Sequence, residues 1–413
     1  MSSEAQEHTK QTVTVPVTGN AAPSKTRRRR RLGSVVARVA LVLLFGIGFF
    51  LSAFPMGRAT LRTVLLLPTL LMASEPAPLT LLDEPVRRTQ MTISSASGPV
   101  YVDVYAPTTA APPIPGTRGG LIMIPGIGDN RNVPQLVNLS LAFAHEGLVV
   151  MNMTTTTLAH YSLSAQDSDG VVQVFRVLAH WPGVSAHRIG LVGFSGGGPI
   201  ICFAAADPRI RDQVAFVALF GSYFNATSLL RAVGRRALTV DGRTQVWQPN
   251  PFPIQVLANV ISETLPPAEG SRLQSAFTPG GKPLTAQDLA RFSPGTVAAY
   301  HLLAGDEPDQ VDANLAALPS QVHTLFDELS VNRVIDQIRV PIYLLHDRSD
   351  TSVPFTESRD FAAALMRIHH PYDFAEFGIF QHVEVRADLG IGQVLSDSPR
   401  LFRILSEILL PSS

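Results

Sequence analysis

The run Gly193-Phe194-Ser195-Gly196-Gly197 sets a serine among glycines, directly after the apolar Ile189–Val192 and before a helical stretch. In that setting a G-x-S-x-G presents the serine as a nucleophile on a tight strand-to-helix turn, where a strained backbone leaves no room for side chains on either side. The helix that follows aims free N–H groups and the positive end of its dipole at the site, which stabilises negative charge on an attacked carbonyl oxygen. Pro199 suits the first turn of that helix. The competing reading, a glycine-rich phosphate loop, lacks both the P-loop lysine and the G-x-G-x-x-G spacing.

A serine hydroxyl is a weak nucleophile and needs a base, which in turn needs an orienting carboxylate; with this motif the acid and then the histidine usually follow the serine. His346-Asp347-Arg348-Ser349-Asp350 follows the apolar run Pro341–Leu345, and a carboxylate just past a strand's carboxyl end points into the same crevice as Ser195. Asp350 is assigned as the acid, with Asp347, closer to the strand, as its competitor. His382 is the only histidine after the last strand, Tyr372–Phe377, and is assigned as the base. The backbone N–H groups of Ile127, in the turn Pro125-Gly126-Ile127-Gly128-Asp129, and of Gly196 are the expected oxyanion hole. His369 and His370 end a helix and read as structural. Cys202, two turns along the helix from Ser195, reads as a small buried apolar residue, and Trp181 and Trp247 carry no assignment.

These residues need elements to hold them. Met91–Ser95 and Val100–Pro107 alternate as an opening hairpin. Short apolar strands then alternate with helical stretches: Leu121–Ile124, Pro134–Glu146, Leu148–Asn152, Asp169–Trp181, Arg188–Val192, Gly196–Ala206 and Val214–Phe220. Strands apolar on both faces, regularly separated by helices, predict an α/β protein with a doubly wound, mostly parallel sheet. The next buried strand, Pro341–Leu345, comes about 120 residues later, far beyond an ordinary crossover. Residues 222–335 are therefore read as a mostly helical cap insert, and 86–221 with 336–413 as the core. A helix at Thr356–Ile368, the strand Tyr372–Phe377 and a helix at Pro399–Leu409 close the chain.

Composition narrows the chemistry further. The chain has 413 residues, 46% hydrophobic and 16% charged, too apolar for a disordered protein. Its formal net charge is zero, so no global field favours nucleic acid. One cysteine excludes a disulfide framework and thiolate-rich zinc sites. The lysines are Lys10, Lys25 and Lys282, so Schiff-base chemistry is discounted. Neither a cofactor nor a metal is expected, and oligomeric state is not readable from the sequence.

Residues 1–31, polar and ending in five arginines, read as a disordered basic tail. Leu32–Phe54 is an apolar run of 23 residues with one charge, Arg38, near its start, long enough for a span of about 20 residues. Seven basic against two acidic residues precede it, which places the N-terminus in the cytoplasm and the catalytic part outside. The alternative is a cleaved export signal and a secreted protein. Residues 55–85 read as an interfacial or linking segment, since Thr60–Ala73 is short for a second span and holds Arg62 and Pro68.

With GFSGGG at 193–198, LLHDRSDTSVP at 344–354 and the Gln381-His382 pair, the chain resembles the α/β-hydrolase superfamily, nearest its dienelactone-hydrolase-like and prolyl-oligopeptidase-like branches. The resemblance runs from Met91 to the end, apart from the insert, and implies the α/β-hydrolase fold, a Ser195, Asp350, His382 triad and a cap over the site. Two positions depart from the family pattern: Pro125-Gly126 and His346-Asp347 each stand where His-Gly is usual. The serine disfavours dienelactone hydrolysis itself, which uses cysteine. The expectation is a membrane-anchored serine hydrolase acting on small-molecule or lipid carboxylic esters. A serine peptidase, an acyltransferase and a non-catalytic membrane-tethered binding module are the alternatives.

Overall fold

The computed structural model of the chain describes residues 43–44, 46–51, 53–72, 85–108, 118–382, 384–386 and 390–410. Eight strands form the main sheet: β1 Val86–Ser95, β2 Gly98–Pro107, β3 Arg118–Ile124, β4 Val149–Thr155, β5 Val184–Phe194, β6 Val214–Phe220, β7 Ile342–Asp347 and β8 Tyr372–Phe377. Their order is β1-β2-β4-β3-β5-β6-β7-β8. β2 runs antiparallel to both β1 and β4, and the other neighbours pair in parallel, as the alternation of apolar strands and helices predicts. Side chains alternate between two buried faces. Ile122 and Ile124 of β3 join the core with α3 (Ser168–Ala179), α4 (Gly197–Ala206) and α11 (Thr356–Arg367). Leu121 and Met123 face the opposite way, toward α1 (Pro55–Met72), α2 (Pro134–His145) and α12 (Ile391–Leu409). A strand buried on both sides carries no polar alternation, which is why Leu121–Ile124 of β3 and Val149–Met151 of β4 read as apolar runs.

Residues between β6 and β7 leave the sheet. They form α5 (Ala226–Arg235), α6 (Pro251–Ser262), α7 (Pro267–Phe277), α8 (Pro294–Ala304), α9 (Val311–Ala317) and α10 (Ser320–Glu328). They also hold a feature the helical reading missed, the antiparallel hairpin Ala237–Val240 with Arg243–Val246. Asp241 and Gly242 turn it with φ of 50° and 74°, the Asp-Gly pairing favoured in two-residue hairpin loops.

α12 begins eight residues before the expected Pro399, which sits inside the helix. The preceding turns are fixed from outside: Asp397 accepts the Gly378 N–H at 2.8 Å, and the Gln393 amide donates to the Gly378 carbonyl. Tertiary hydrogen bonds there outweigh the local penalty of proline.

The chain divides into two compact units at Phe54/Pro55. In the first, the described residues are largely helical and expose Leu43, Leu44, Ile47, Phe49 and Phe50. Among the described residues no helix is long and apolar enough to cross a membrane. Residues 32–42 of the expected span, the tail 1–31 and residues 73–84 of the expected linker lie outside the described residues. In the second unit, α1 packs as part of the fold: Ala59, Thr63 and Leu66 are buried, and Ser406 of α12 donates to the Thr63 hydroxyl at 3.0 Å.

Candidate active site

Ser195 ends the β5 ladder with φ 50°, a left-handed conformation that costs a non-glycine residue roughly 1–2 kcal/mol. Two backbone bonds hold it there. Its N–H donates to the Phe220 carbonyl at 2.8 Å, and its own carbonyl accepts the Gly198 N–H at 3.1 Å. The close return of strand onto helix requires glycine at 193, where a Cβ would lie 2.6 Å from the Gly198 Cα. The turn Pro125–Gly128 lies against this elbow: a Cβ on Gly126 would be 3.4 Å from the Ser195 Cβ, and one on Gly196 would be 2.7 Å from Ile127 Cδ1. That turn is tied down by the Gly128 N–H donating to Leu158 at 2.8 Å and the Asn130 amide donating to the Ile127 carbonyl at 2.9 Å. Among the described residues, the N–H groups of Ile127 and Gly196 take part in no hydrogen bond.

Asp350 follows β7 and is 1% exposed. Its Oδ1 accepts the N–H groups of Ser352 at 2.7 Å and Val353 at 2.9 Å. Its Oδ2 accepts Nδ1–H of His382 at 2.7 Å and lies 3.2 Å from Nε2 of His346. Burial pushes the carboxyl up, but the charge and hydrogen bonds of His382 and His346 outweigh it and hold Asp350 well below the usual carboxylate range. His346 is fully buried and also faces the Val353 carbonyl, 3.0 Å from Nε2. A carbonyl only accepts, so Nε2 carries a proton and its N–H is shared between carbonyl and carboxylate. Nδ1 of the same ring meets the Ser358 hydroxyl at 2.7 Å.

His382 sits in the loop after β8 with φ 59°. Asp347, the competing acid, does not pair with it. Its Oδ2 accepts the Phe380 N–H at 2.8 Å, and its Oδ1 accepts both the N–H and the hydroxyl of Ser349, at 2.7 and 2.6 Å. The Ser349 hydroxyl also lies 3.3 Å from the Phe380 carbonyl. Burial pushes the Asp347 carboxyl up, and these bonds pull it part of the way back. Asp347 thus grips the loop bearing His382 through Phe380, two residues before it.

Gly221 brings the three residues together. It follows Phe220, the acceptor for Ser195, and has φ 58°. A Cβ there would lie 3.1 Å from Nδ1 of His382 and 3.3 Å from Oδ2 of Asp350. Its signal in the sequence is a glycine directly after an apolar strand, at the carboxyl edge of the sheet. Among the described residues Ser195 and His382 share no hydrogen bond; in enzymes without substrate such bonds are often long and tighten in the complex. His369, with φ 53°, and His370, whose Nε2–H donates to the Val340 carbonyl at 2.8 Å, close α11 away from this pair. Cys202 is buried, which pushes its thiol up and away from the thiolate. Among the described residues no group of histidine, cysteine and carboxylate side chains is placed to hold a metal ion.

A cavity opens beside the elbow. Ser195 and Gly196 line it with Ser352 and Val353 of the acid's loop, and the insert supplies Leu229, Phe252, Val256, Leu257, Val260 and Phe326. No charged side chain is among its described lining residues.

No protein-family model matches the chain, and no curated protein sequence matches it. Among solved structures it is similar to a puromycin-hydrolyzing peptidase of Mycobacterium tuberculosis, with 16% identity and a TM-score of 0.46 over 78% of this chain and 39% of that one. It is similar to dipeptidyl peptidase 4 of Porphyromonas gingivalis, with 13% identity and a TM-score of 0.44 over 79% and 36%. It is also similar to a lipase/esterase of Lactobacillus plantarum, with 15% identity and a TM-score of 0.44 over 78% and 99%. The chain therefore spans well under half the length of the two peptidases. The strand order is that of an α/β-hydrolase fold, with a strained serine between β5 and α4 and Asp350 bonded to His382 beyond β7 and β8.

Proposed function

We propose that the protein is a serine hydrolase that cleaves carboxylic esters with an apolar acyl group. The observation that carries this reading is the buried Asp350 carboxylate bonded to His382 at 2.7 Å beside a serine held in a left-handed conformation. Ser195 Oγ attacks the acyl carbonyl while Nε2 of His382 takes its proton and Asp350 holds the ring and stabilises the imidazolium. The N–H groups of Ile127 and Gly196 receive the oxyanion, where one such donor is worth about 3 kcal/mol. Collapse expels the alcohol, which takes the proton from His382. Water, activated by the same histidine, then releases the acid and restores Ser195.

The apolar cavity lining supports an acyl group without charge as the part of the substrate seated there. The apolar run at 32–54 supports attachment to a membrane with the catalytic part outside the cytoplasm. The test is fluorophosphonate labelling of the full chain in detergent, with Ser195→Ala and His382→Ala alongside, followed by a series of p-nitrophenyl esters and peptide amides. Labelling abolished in both folded variants, with esters turned over faster than amides, is the expected result. Faster amide cleavage gives the peptidase, acyl transfer to added alcohol the acyltransferase, and a folded wild type that never labels the binding module.

A further inference from the structure

Trp247 and Asn250 belong to the insert, in the short segment between its hairpin and α6. Trp247 is 7% exposed, and its indole N–H donates to the carbonyl oxygen of Asp350 at 2.8 Å. Asn250 donates its backbone N–H to the Thr351 carbonyl at 2.8 Å and its side-chain amide to the Ser352 hydroxyl at 2.6 Å. Three consecutive residues of the loop bearing Asp350 are thus bonded to two residues of the insert, about a hundred positions away in the chain. The Asn250 Oδ1 also accepts the Phe252 N–H at 3.0 Å and so starts α6, whose next turns line the cavity.

The bonds within the acid's loop do not replace these. The Asp350 carboxylate gathers the N–H groups of Ser352 and Val353, which fixes the loop's curvature. His346 of β7 holds the loop to the sheet through the Val353 carbonyl and Oδ2 of Asp350, and the hydrogen bonds that the Asp350 and Thr351 carbonyls accept from Trp247 and Asn250 hold its other side to the insert. Displacing the loop displaces Oδ2, and with it the orientation of the His382 ring.

Resting on the serine-hydrolase reading above, we propose that Trp247 and Asn250 are positioning residues for the acid, so that the insert aligns the triad as well as walling the substrate cavity.

The test uses the full chain in detergent and p-nitrophenyl acetate, whose acyl group is too small to need the insert's wall. Trp247→Phe keeps an aromatic ring but lacks the N–H donor. Asn250→Ser keeps a favoured helix cap and loses the amide. In each variant kcat is expected to fall about ten-fold, the worth of one well-placed hydrogen bond, with KM unchanged. A loosened carboxylate also stabilises the His382 imidazolium less, so the rising limb of kcat/KM against pH moves to lower pH. The titratable groups facing the pair, His346 and Asp347 of β7, are intact in both variants. A lower melting temperature with kcat and the pH limb unchanged overturns the proposal while leaving the hydrolase reading in place. A wild type that neither labels with fluorophosphonate nor turns over the acetate overturns both. Should Trp247→Phe fail to fold, Asn250→Ser decides alone.

Discussion

Gly221 presses its backbone against His382: a Cβ at this position would stand 3.1 Å from the ring nitrogen that bonds to Asp350. The residue also has φ 58°, so conformation and space both favour glycine here. Gly221→Ala is expected to cost about 1–2 kcal/mol of stability from the left-handed backbone. It should lower kcat/KM several-fold, up to about ten-fold, because the His382 ring must give way by a fraction of an ångström, where a 1 Å misplacement would cost about 100-fold. Thermal melting and ester hydrolysis measured on one preparation check both figures. A variant with reduced melting temperature and full activity would remove Gly221 from the account of the site.

The two aspartates after β7 have separable duties. Asp350→Asn removes the charge that orients and stabilises the His382 imidazolium, and should lower kcat by about 10⁴. Asp347→Asn keeps one acceptor for the Phe380 N–H but sets an amide against Ser349. It should lower kcat only about ten-fold, through the loop rather than through the proton transfer. Steady-state hydrolysis by the two variants checks the assignment, and the reverse order of severity would make Asp347 the acid.

Much of this arrangement is legible in the amino-acid sequence. The sheet's strands are apolar runs of the right length, and the elbow is a local motif whose strain forces glycines into the sequence near Ser195. What stayed hidden depends on contacts between distant segments. Nothing local separates Asp347 from Asp350; the distinction lies in which one meets a ring nitrogen and which meets the Phe380 N–H, 33 residues away. Trp247 gave no signal, because its partner is a backbone carbonyl 103 residues on, and backbone acceptors leave no mark in a sequence. The hairpin turned by Asp241 and Gly242 did leave a mark, the Asp-Gly pair, which the surrounding helical periodicity obscured.

Asp350 also links stability to pH. Its folded carboxyl is held well below the ordinary range, so the folded state binds fewer protons than the unfolded chain between the two values. Its contribution is therefore fully present above the unfolded value, about 3.9, and is lost as pH falls through the lower folded one. Urea unfolding of wild type and Asp350→Asn across pH 7 to 3 is expected to show a stability difference that is constant from pH 7 to 5. That difference should narrow only at the acid end. A difference that closes already between pH 7 and 5 would mean that Asp350 is not held ionised by its histidines.

The cavity offers the most direct handle on substrate choice. Val256 and Leu257 of α6 line it together with Ile127, from the turn after β3, and Leu163, from the segment between β4 and α3. Val256→Trp adds a large ring to a space that already exists, so the usual overpacking cost of about 1–3 kcal/mol should fall at the low end. The ring takes the volume an acyl chain would use. Hydrolysis of p-nitrophenyl octanoate is then expected to fall at least about 100-fold in kcat/KM, the loss of two methylene contacts at roughly ten-fold each. Hydrolysis of the acetate and labelling by a small fluorophosphonate should not change, because neither reaches past Ser195 into the space the tryptophan fills. Equal losses on acetate and octanoate would place the damage at the triad, and no loss on either would place the acyl chain elsewhere.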